Sequence, residues 1–252
     1  MTLDEVLASL FPSGHAVERG PSGTLHGTAK VEGQGEAAVL GIVGGTPLGV
    51  DGAILLAGHV LAAVEAGGRA PIVVLVDTAS QNMARRDELL GLNEYLAHLA
   101  KSLALAAVHG HRTVSILFGH AAAGAFIATA LSSQSLVALT GAEPSVMDLP
   151  SISRVTKLPL EELKELAKST PIFAPGVEPL FATGAVAEIW AADEPLASRL
   201  AALLRQLAAT SDLRDRIGLE RKGRLLAQQI AERIAMEAAA NLDQVAVAQS
   251  AG

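Results

Sequence analysis

The residues most suited to chemistry are five small or compact ones that follow a run of apolar residues. The run, residues 113–118 (TVSILF), is typical of a buried strand, and a helix is predicted over residues 124–131. The turn between them consists of Gly119, His120, Ala121, Ala122 and Ala123. Amides at the start of a helix have no partners within it, and small side chains let a ligand oxygen come close. Such donors can form an oxyanion hole, which stabilises negative charge that develops on a substrate.

The same turn is open to a purely structural interpretation. Small residues also allow a helix and a strand to pack closely, and the residue types alone do not decide between packing and binding. A nucleophile elbow, G-x-S-x-G, would need a serine at Ala121. A phosphate-binding loop would need Lys followed by Ser or Thr after Gly124, and neither is present there. The sequence therefore points away from both of these motifs.

His120 is the side chain of the turn that can exchange a proton near neutral pH. It could act as a general acid or base, or it could face solvent, because the sequence identifies no carboxylate partner for it. His109 and His111 have the spacing of two metal ligands, yet no acidic pattern nearby completes a site. We therefore predict no metal. The chain has no cysteine, which excludes a thiolate nucleophile and a disulfide framework.

A second polar segment follows another predicted strand, residues 71–76 (PIVVLV). In parallel sheets, ligands gather at the carboxyl ends of the strands, where residues 77–82 (DTASQN) would lie. Thr78, Ala79 and Ser80 could therefore contact a substrate. Alternatively, the segment could cap the helix that is predicted to begin at Arg86.

Strands and helices alternate along most of the chain. Runs of mainly apolar residues predict strands over residues 37–43, 71–76, 113–118 and 136–139, and helices are predicted over residues 50–66, 86–108 and 124–131. The long helix carries leucines at positions 89, 92, 96, 99 and 103, which form one apolar stripe. This order predicts an α/β fold of repeated strand-helix units with a parallel sheet and right-handed crossovers.

The chain divides into three predicted regions. Residues 1–36 form an irregular N-terminal lead-in with a short helix, at which Thr2 and Glu5 have the spacing of a capping box. Residues 37–192 form the α/β core. Residues 193–252 form a C-terminal helical region, whose apolar faces have no further strands to cover and could contact a partner.

Composition excludes several classes of protein. A formal net charge of −7 and an aromatic content of 3% argue against a nucleic-acid binder. The basic residues within positions 214–224 are interrupted by acids and predict a solvated helix face. The apolar runs are too short to span a bilayer, and Asp4 and Glu5 stand where a secretory signal would be basic. We expect a cytoplasmic protein that does not bind a membrane.

Two segments together resemble the carboxyltransferase branch of the crotonase superfamily. Residues 76–79 (VDTA) resemble a strand that ends in D-T-P-G-A in that branch, and residues 119–128 (GHAAAGAFIA) match G-E-G-G-S-G-G-A-L-A position by position. The Gly-Gly pair of the family supplies oxyanion amides and falls on Ala121 and Ala122. Alanine keeps the N–H donors but adds a methyl group and disfavours a positive φ. Residues 181–189 are similar to the family segment in which a helix gives way to a strand.

Further segments are similar to the malonate decarboxylase gamma-subunit family. They are residues 10–15, 85–93, 147–149, 154–161 and 171–177, and the likeness extends over most of residues 1–192. The resemblance implies a crotonase (ClpP)-like fold with C-terminal helices. It also implies a carbon-carbon lyase that is active only with a partner, a beta subunit of the same fold.

The resemblance implies the chemistry as well. In that family a malonyl group is carried as a thioester on the phosphoribosyl-dephospho-CoA arm of an acyl-carrier (delta) subunit, and an acyl-carrier transferase (alpha) subunit belongs to the complex. The gamma subunit is expected to bind no cofactor or metal of its own. We therefore take Ala121, Ala122 and His120 as candidate catalytic residues, with His120 adding a hydrogen bond or positioning the partner subunit. The candidate substrate-binding residues are Gly119, Ala123, Gly124, Thr78, Ala79 and Ser80.

Two alternatives stay open on the sequence. The chain could be a non-catalytic structural subunit of the same complex. It could also be a self-contained acyl-CoA hydratase or isomerase of the crotonase type. Such enzymes usually place a Glu or Asp near the oxyanion helix, and residues 124–131 contain neither, which disfavours this alternative.

Overall fold

A computed structural model describes residues 1–170, 175–207 and 212–250, the last eleven of these without side-chain detail. Its strands are β1 (Glu18–Arg19), β2 (Thr24–Val31), β3 (Gly35–Ile42), β4 (Ile72–Val76), β5 (Thr113–Leu117), β6 (His120–Ala122), β7 (Ser135–Leu139), β8 (Glu143–Ser145) and β9 (Glu188–Trp190). Its α-helices are α1 (Leu3–Leu10), α2 (Val50–Glu65), α3 (Arg85–Leu89), α4 (Leu92–Val108), α5 (Ala123–Thr129), α6 (Leu149–Thr156), α7 (Leu160–Ser169), α8 (Val177–Ala182), α9 (Leu196–Gln206), α10 (Arg214–Glu220) and α11 (Ala227–Ser250).

The main sheet has seven strands in the order β1-β2-β3-β4-β5-β7-β9. β3, β4, β5, β7 and β9 are parallel, which confirms the predicted α/β architecture. Ile42 pairs with Val76, and Val76 pairs with Leu117, so three neighbouring strands end at the same level. The segments that follow β3, β4 and β5 therefore meet at one edge of the sheet.

Two apolar layers cover the sheet, one on each face. Val73 and Leu75 of β4 contribute to the layer that contains α1 and α9. Ile72, Val74 and Val76 contribute to the other layer, which contains α2, α4 and α5. Successive residues of a strand point to opposite faces, so a strand buried on both faces needs an unbroken apolar run.

The prediction of an irregular lead-in was wrong for part of the N-terminal segment. The α1 helix has the predicted capping box, in which Thr2 and Glu5 each accept the other's backbone N–H. However, β2 pairs antiparallel with the whole of β3 and joins the main sheet. Its sequence, TLHGTAKV, is rich in small and polar residues, so neither a continuous run nor a strict alternation marks it as a strand.

The single helix predicted over residues 86–108 is two helices. Gly91, with φ of 77°, separates α3 from α4, because a left-handed residue ends the first helix and redirects the chain. Leu92, Leu99 and Leu103 are buried as the stripe predicts. Leu89 lies before the break and is 76% exposed, so it does not belong to the apolar stripe.

The basic cluster is not only a solvated face. The guanidinium of Arg221 lies 3.6 Å from the centre of the Phe181 ring and donates to the carbonyls of Phe181, Val186 and Ala187. Burial lowers the pKa of Arg221 below its usual value. Arg214 donates to the carbonyl of Leu131. Arg221 thus attaches the end of α10 to the segment before β9, and Arg214 attaches its start to the segment after α5. In the part of the chain that the structure describes, no helix has both the length and the hydropathy needed to cross a bilayer.

Asp87 connects the segment after β4 to α2. Its carboxylate accepts the Val50 N–H at 2.9 Å and the Asn82 side-chain amide at 2.7 Å, and it is 3% exposed. The N-cap residue of α2, Gly49, has no side chain, so Asp87 caps the helix from a distant part of the sequence. Nearby, Arg86 binds Asp51 through two exposed contacts of 2.8 and 3.0 Å, and this partner holds the pKa of Asp51 below its usual value.

We predict that Asp87→Ala lowers the free energy of unfolding by about 1–3 kcal/mol, because it leaves buried donors without a partner. The matched control is Asp51→Ala, which breaks only the exposed pair and is expected to cost at most about 1 kcal/mol. Urea unfolding of the two variants measures the difference. Equal losses would show that Asp87 does not cap α2.

Candidate functional site

The turn after β5 contains a short strand that the sequence did not predict. Residues 120–122 form β6, which pairs in parallel with β8 and makes a second, two-stranded sheet. The pairs are His120 with Glu143, Ala121 with Pro144, and Ala122 with Ser145. Strands of three residues are too short for a hydrophobic period, and the partner strand is distant in the sequence, so neither was visible there.

Most amides of the turn already have partners in the protein. The His120 N–H donates to Asp77 Oδ1 at 3.1 Å, and the Gly124 N–H donates to Gln81 Oε1 at 2.9 Å. The Glu143 N–H donates to the Gly119 carbonyl at 3.0 Å. This bond determines which backbone groups of β6 face β8 in the parallel ladder. Alternate amides in such a ladder face the partner strand, so those of Ala121 and Ala123 are directed at β8.

The Ala122 amide is different. It faces away from β8, on the side where the Thr78 N–H donates to the His120 carbonyl at 2.7 Å. Within the described residues no acceptor is bonded to it. Ala122 is half-buried and has an extended backbone, with φ of −133° and ψ of 154°. The added methyl therefore causes no backbone strain at Ala122. The positive φ of the turn, 50°, falls on Ala123 instead.

Asp77 holds the ends of three strands together. Its Oδ2 accepts the Gly44 N–H at 3.1 Å, beyond β3, while Oδ1 accepts the His120 N–H beyond β5. A Cβ at Gly119 would overlap the Asp77 carboxylate. Gly119 is therefore needed for close approach of the two segments rather than for an unusual φ.

The segment after β4 mainly supports the turn. Thr78 is fully buried, and its hydroxyl donates to the Thr46 carbonyl at 2.6 Å. The Ser80 hydroxyl donates to the Gln81 carbonyl at 2.9 Å, and Ala79 is exposed. The segment does not cap the helix at Arg86. Instead, Gln81 caps α5 through the Gly124 amide, a contact that no sequence signal indicated.

His120 has a carboxylate partner that sequence reasoning missed. Its Nδ1 lies 3.2 Å from Glu143 Oε2, and the two side chains are 65% and 71% exposed. Because His120 and Glu143 are paired residues of β6 and β8, strand register brings them together. His111, in contrast, is buried and bonds to the Ala70 carbonyl through Nδ1. Of the sequence segment 171–177, residues 171–174 lie outside the described residues.

Comparison with known proteins supports one fold and one family. The structure is similar to a Pseudomonas malonate decarboxylase hetero-tetramer crystallised with coenzyme A, with a TM-score of 0.76, 24% identity, and coverage of 92% of this chain and 97% of that chain. A Pseudomonas MdcD–MdcE hetero-dimer matches with a TM-score of 0.74, 23% identity and the same coverage. The transcarboxylase 12S core matches with a TM-score of 0.64 and 15% identity, over 82% of this chain and 41% of that chain.

A sequence relative is more limited in extent. The malonyl-S-ACP:biotin-protein carboxyltransferase of Malonomonas rubra is 34% identical over 122 residues, which are 47% of this chain and 42% of that protein. The chain thus spans less than half of the curated relative that it matches.

The fold is that of crotonase-like carboxyltransferase subunits. Within that class, the sequence profile of malonate decarboxylase gamma subunits matches residues 44–238. The chain belongs to the malonate decarboxylase gamma subunit family, as the resemblance in the sequence implied.

We predict that Gly119→Ala lowers the free energy of unfolding by about 1–3 kcal/mol, because the new methyl group displaces the Asp77 carboxylate. Gly58→Ala is the control, since a Cβ there meets open space and the helix gains up to about 1 kcal/mol. Denaturant unfolding compares the two. A harmless Gly119→Ala would contradict the close contact with Asp77.

Ala123→Gly is predicted to leave the stability unchanged or to raise it by up to about 1 kcal/mol, because glycine accepts a positive φ without strain. Ala128→Gly, in the same helix but at a buried position, should instead cost at least about 0.5–1 kcal/mol. Thermal unfolding of both variants tests this, and equal losses would show that Ala123 is unstrained.

Proposed function

We propose that this chain acts with a beta-type subunit to decarboxylate a malonyl thioester carried on an acyl-carrier subunit, leaving an acetyl thioester and CO2. The observation that carries the proposal is the Ala122 N–H, which the described residues leave without an acceptor at the carboxyl edge of the sheet. Family membership and the names of the relatives support the substrate class. The thioester would sit on a phosphoribosyl-dephospho-CoA arm of the delta subunit, with an alpha subunit as its transferase, in the cytoplasm.

Breaking the bond between the α carbon and the carboxylate leaves an electron pair that spreads onto the thioester oxygen. We place that oxygen against the Ala122 N–H, where the developing negative charge strengthens the hydrogen bond. Loss of one such donor typically costs about 2.7–4 kcal/mol of transition-state stabilisation. Ala79 is exposed, and its amide also has no bonded acceptor among the described residues. We propose Ala79 as the substrate contact in the segment after β4, because the N–H and the hydroxyl of Thr78 are both bonded to carbonyls of the protein.

The site has an open side that a second subunit would cover. His120 is largely exposed, and the segments that adjoin the turn carry exposed apolar side chains: Ile127 at 47%, Val146 at 45% and Met147 at 41%. Loss of CO2 moves the negative charge of a well-hydrated carboxylate onto an enolate, and this step is favoured where water is excluded from the carboxylate. The Ala122 N–H would act best away from water, yet exposed apolar side chains surround it in this chain. This favours an active site that is completed by a second subunit over one formed by this chain alone.

We predict that Ala122→Pro, which removes the N–H and also draws φ from −133° towards about −65°, lowers turnover by at least about 100-fold in the complex with the beta-type subunit. Turnover is measured as CO2 release from the malonyl-loaded carrier, and co-purification establishes that the complex still assembles. Ala122→Gly keeps the donor and is the control, with turnover expected within a few-fold of wild type.

Two outcomes count against the proposal. If assembled Ala122→Pro complex turns over like wild type, the oxyanion site is misplaced and the chain serves the complex as a scaffold. If the wild-type complex releases no CO2, the assignment of the reaction itself is wrong.

A further inference from the structure

We propose that His120 returns a proton to the acetyl carbon after CO2 leaves, and that Glu143 positions its imidazole for this step. This inference rests on the proposed decarboxylation. It concerns a different atom of the substrate from the one that Ala122 binds, because the oxyanion donor stabilises oxygen whereas the acid must reach the α carbon.

The strand geometry places His120 beside the proposed oxyanion donor. Side chains alternate along a strand, so His120 and Ala122 share one side of β6, while Ala121 between them is fully buried on the other. Residues two apart on a strand are separated by about 6.6 Å, a distance that a histidine side chain and a short acyl group can bridge together. The N–H itself lies in the plane of the strand, so an acyl group held at Ala122 must turn towards the face that carries His120 for its α carbon to meet the imidazole.

The backbone of His120 is fixed from two directions. Its N–H donates to Asp77 Oδ1 at 3.1 Å, and its carbonyl accepts the Thr78 N–H at 2.7 Å. The acid thus stands on an anchored strand and not on a free loop. A proton donor must be held close to the right position, since small displacements reduce catalysis strongly.

Glu143 orients the imidazole. With Nδ1 lying 3.2 Å from Glu143 Oε2, the ring nitrogen that can face a substrate is Nε2. The charged groups that contact His120 are the Glu143 carboxylate from β8 and the Asp77 carboxylate from the segment after β4. A carboxylate that contacts one ring nitrogen fixes the orientation of the imidazole. Glu143 is therefore a positioning residue.

The bond between the α carbon and the carboxylate breaks, CO2 leaves, and the electron pair forms an enolate whose oxygen is held by Ala122. The imidazolium at Nε2 gives its proton to the α carbon, a C–H bond forms, and the enolate returns to a thioester. Neutral His120 then takes a proton from water, so each turnover consumes one proton.

The test uses the complex of the full chain with its beta-type subunit and the malonyl-loaded carrier. His120→Ala is expected to reduce kcat by at least about 100-fold, the usual contribution of a general acid. Added imidazole should fill the space that the deleted side chain leaves, and restore turnover in this variant but not in Ala122→Pro. His109→Ala, an exposed histidine outside the proposed site, is the matched control and should behave as wild type.

Glu143→Gln should lower kcat and leave KM unchanged, because it changes the orientation and charge of the acid and not the binding of the thioester. Retained turnover in His120→Ala, or a loss that imidazole does not restore, would overturn the role of His120. The proposed decarboxylation would survive either result as long as wild type releases CO2 and Ala122→Pro does not. A wild-type complex that releases no CO2 would remove both proposals.

Discussion

The site depends on one carboxylate. Asp77 accepts the amides of Gly44 and His120, and these two bonds hold together the segments that leave β3, β4 and β5. Charge-assisted bonds to backbone amides are stronger than neutral ones, and here they act where three parallel strands end. With His120 held in this way, β6 can pair with β8 on its other edge. The direction of the Ala122 amide follows from that pairing, so the proposed donor is positioned by a residue that has no need to touch the substrate.

A turn of small residues contains fewer available donors than its sequence indicates. The expectation was that amides next to a helix start are unbonded, with Ala121 and Ala122 as the pair. In the structure the pairing of β6 with β8 takes up alternate amides, Asp77 takes one, and Gln81 takes another. Buried backbone donors are nearly always paired, because an unpaired one raises the free energy of the folded state. The described residues leave the Ala122 amide without such a partner, as they do the amides of Gly119 and Ala79.

The elements that the sequence predicted well are those in which every residue is buried, because such elements consist of a run of mainly apolar residues. The strands β4, β5 and β7 have every residue buried, and their apolar runs identified them. The strands β2, β6 and β8 were missed because one is small and polar and the others span three residues each. The break at Gly91 was hidden within a continuous leucine pattern. The partners of the site were beyond prediction, since Gln81 and Glu143 meet the turn only through folding.

When the donors of a site are backbone amides, the substitutions that disturb it are those that move the backbone. Alanine has no functional group to lose, so most substitutions at Ala122 keep the N–H that the proposed reaction needs. What a substitution can disturb is the path of the backbone, which is set by the Asp77 bonds, by the space at Gly119 and by the positive φ of Ala123. A non-glycine residue in that conformation costs about 1–3 kcal/mol and persists only where its surroundings over-determine it. Here the surroundings are Gln81, which accepts the Gly124 amide, and β8, which pairs with β6. Together these contacts fix one short backbone path, on which the Ala122 amide faces away from β8.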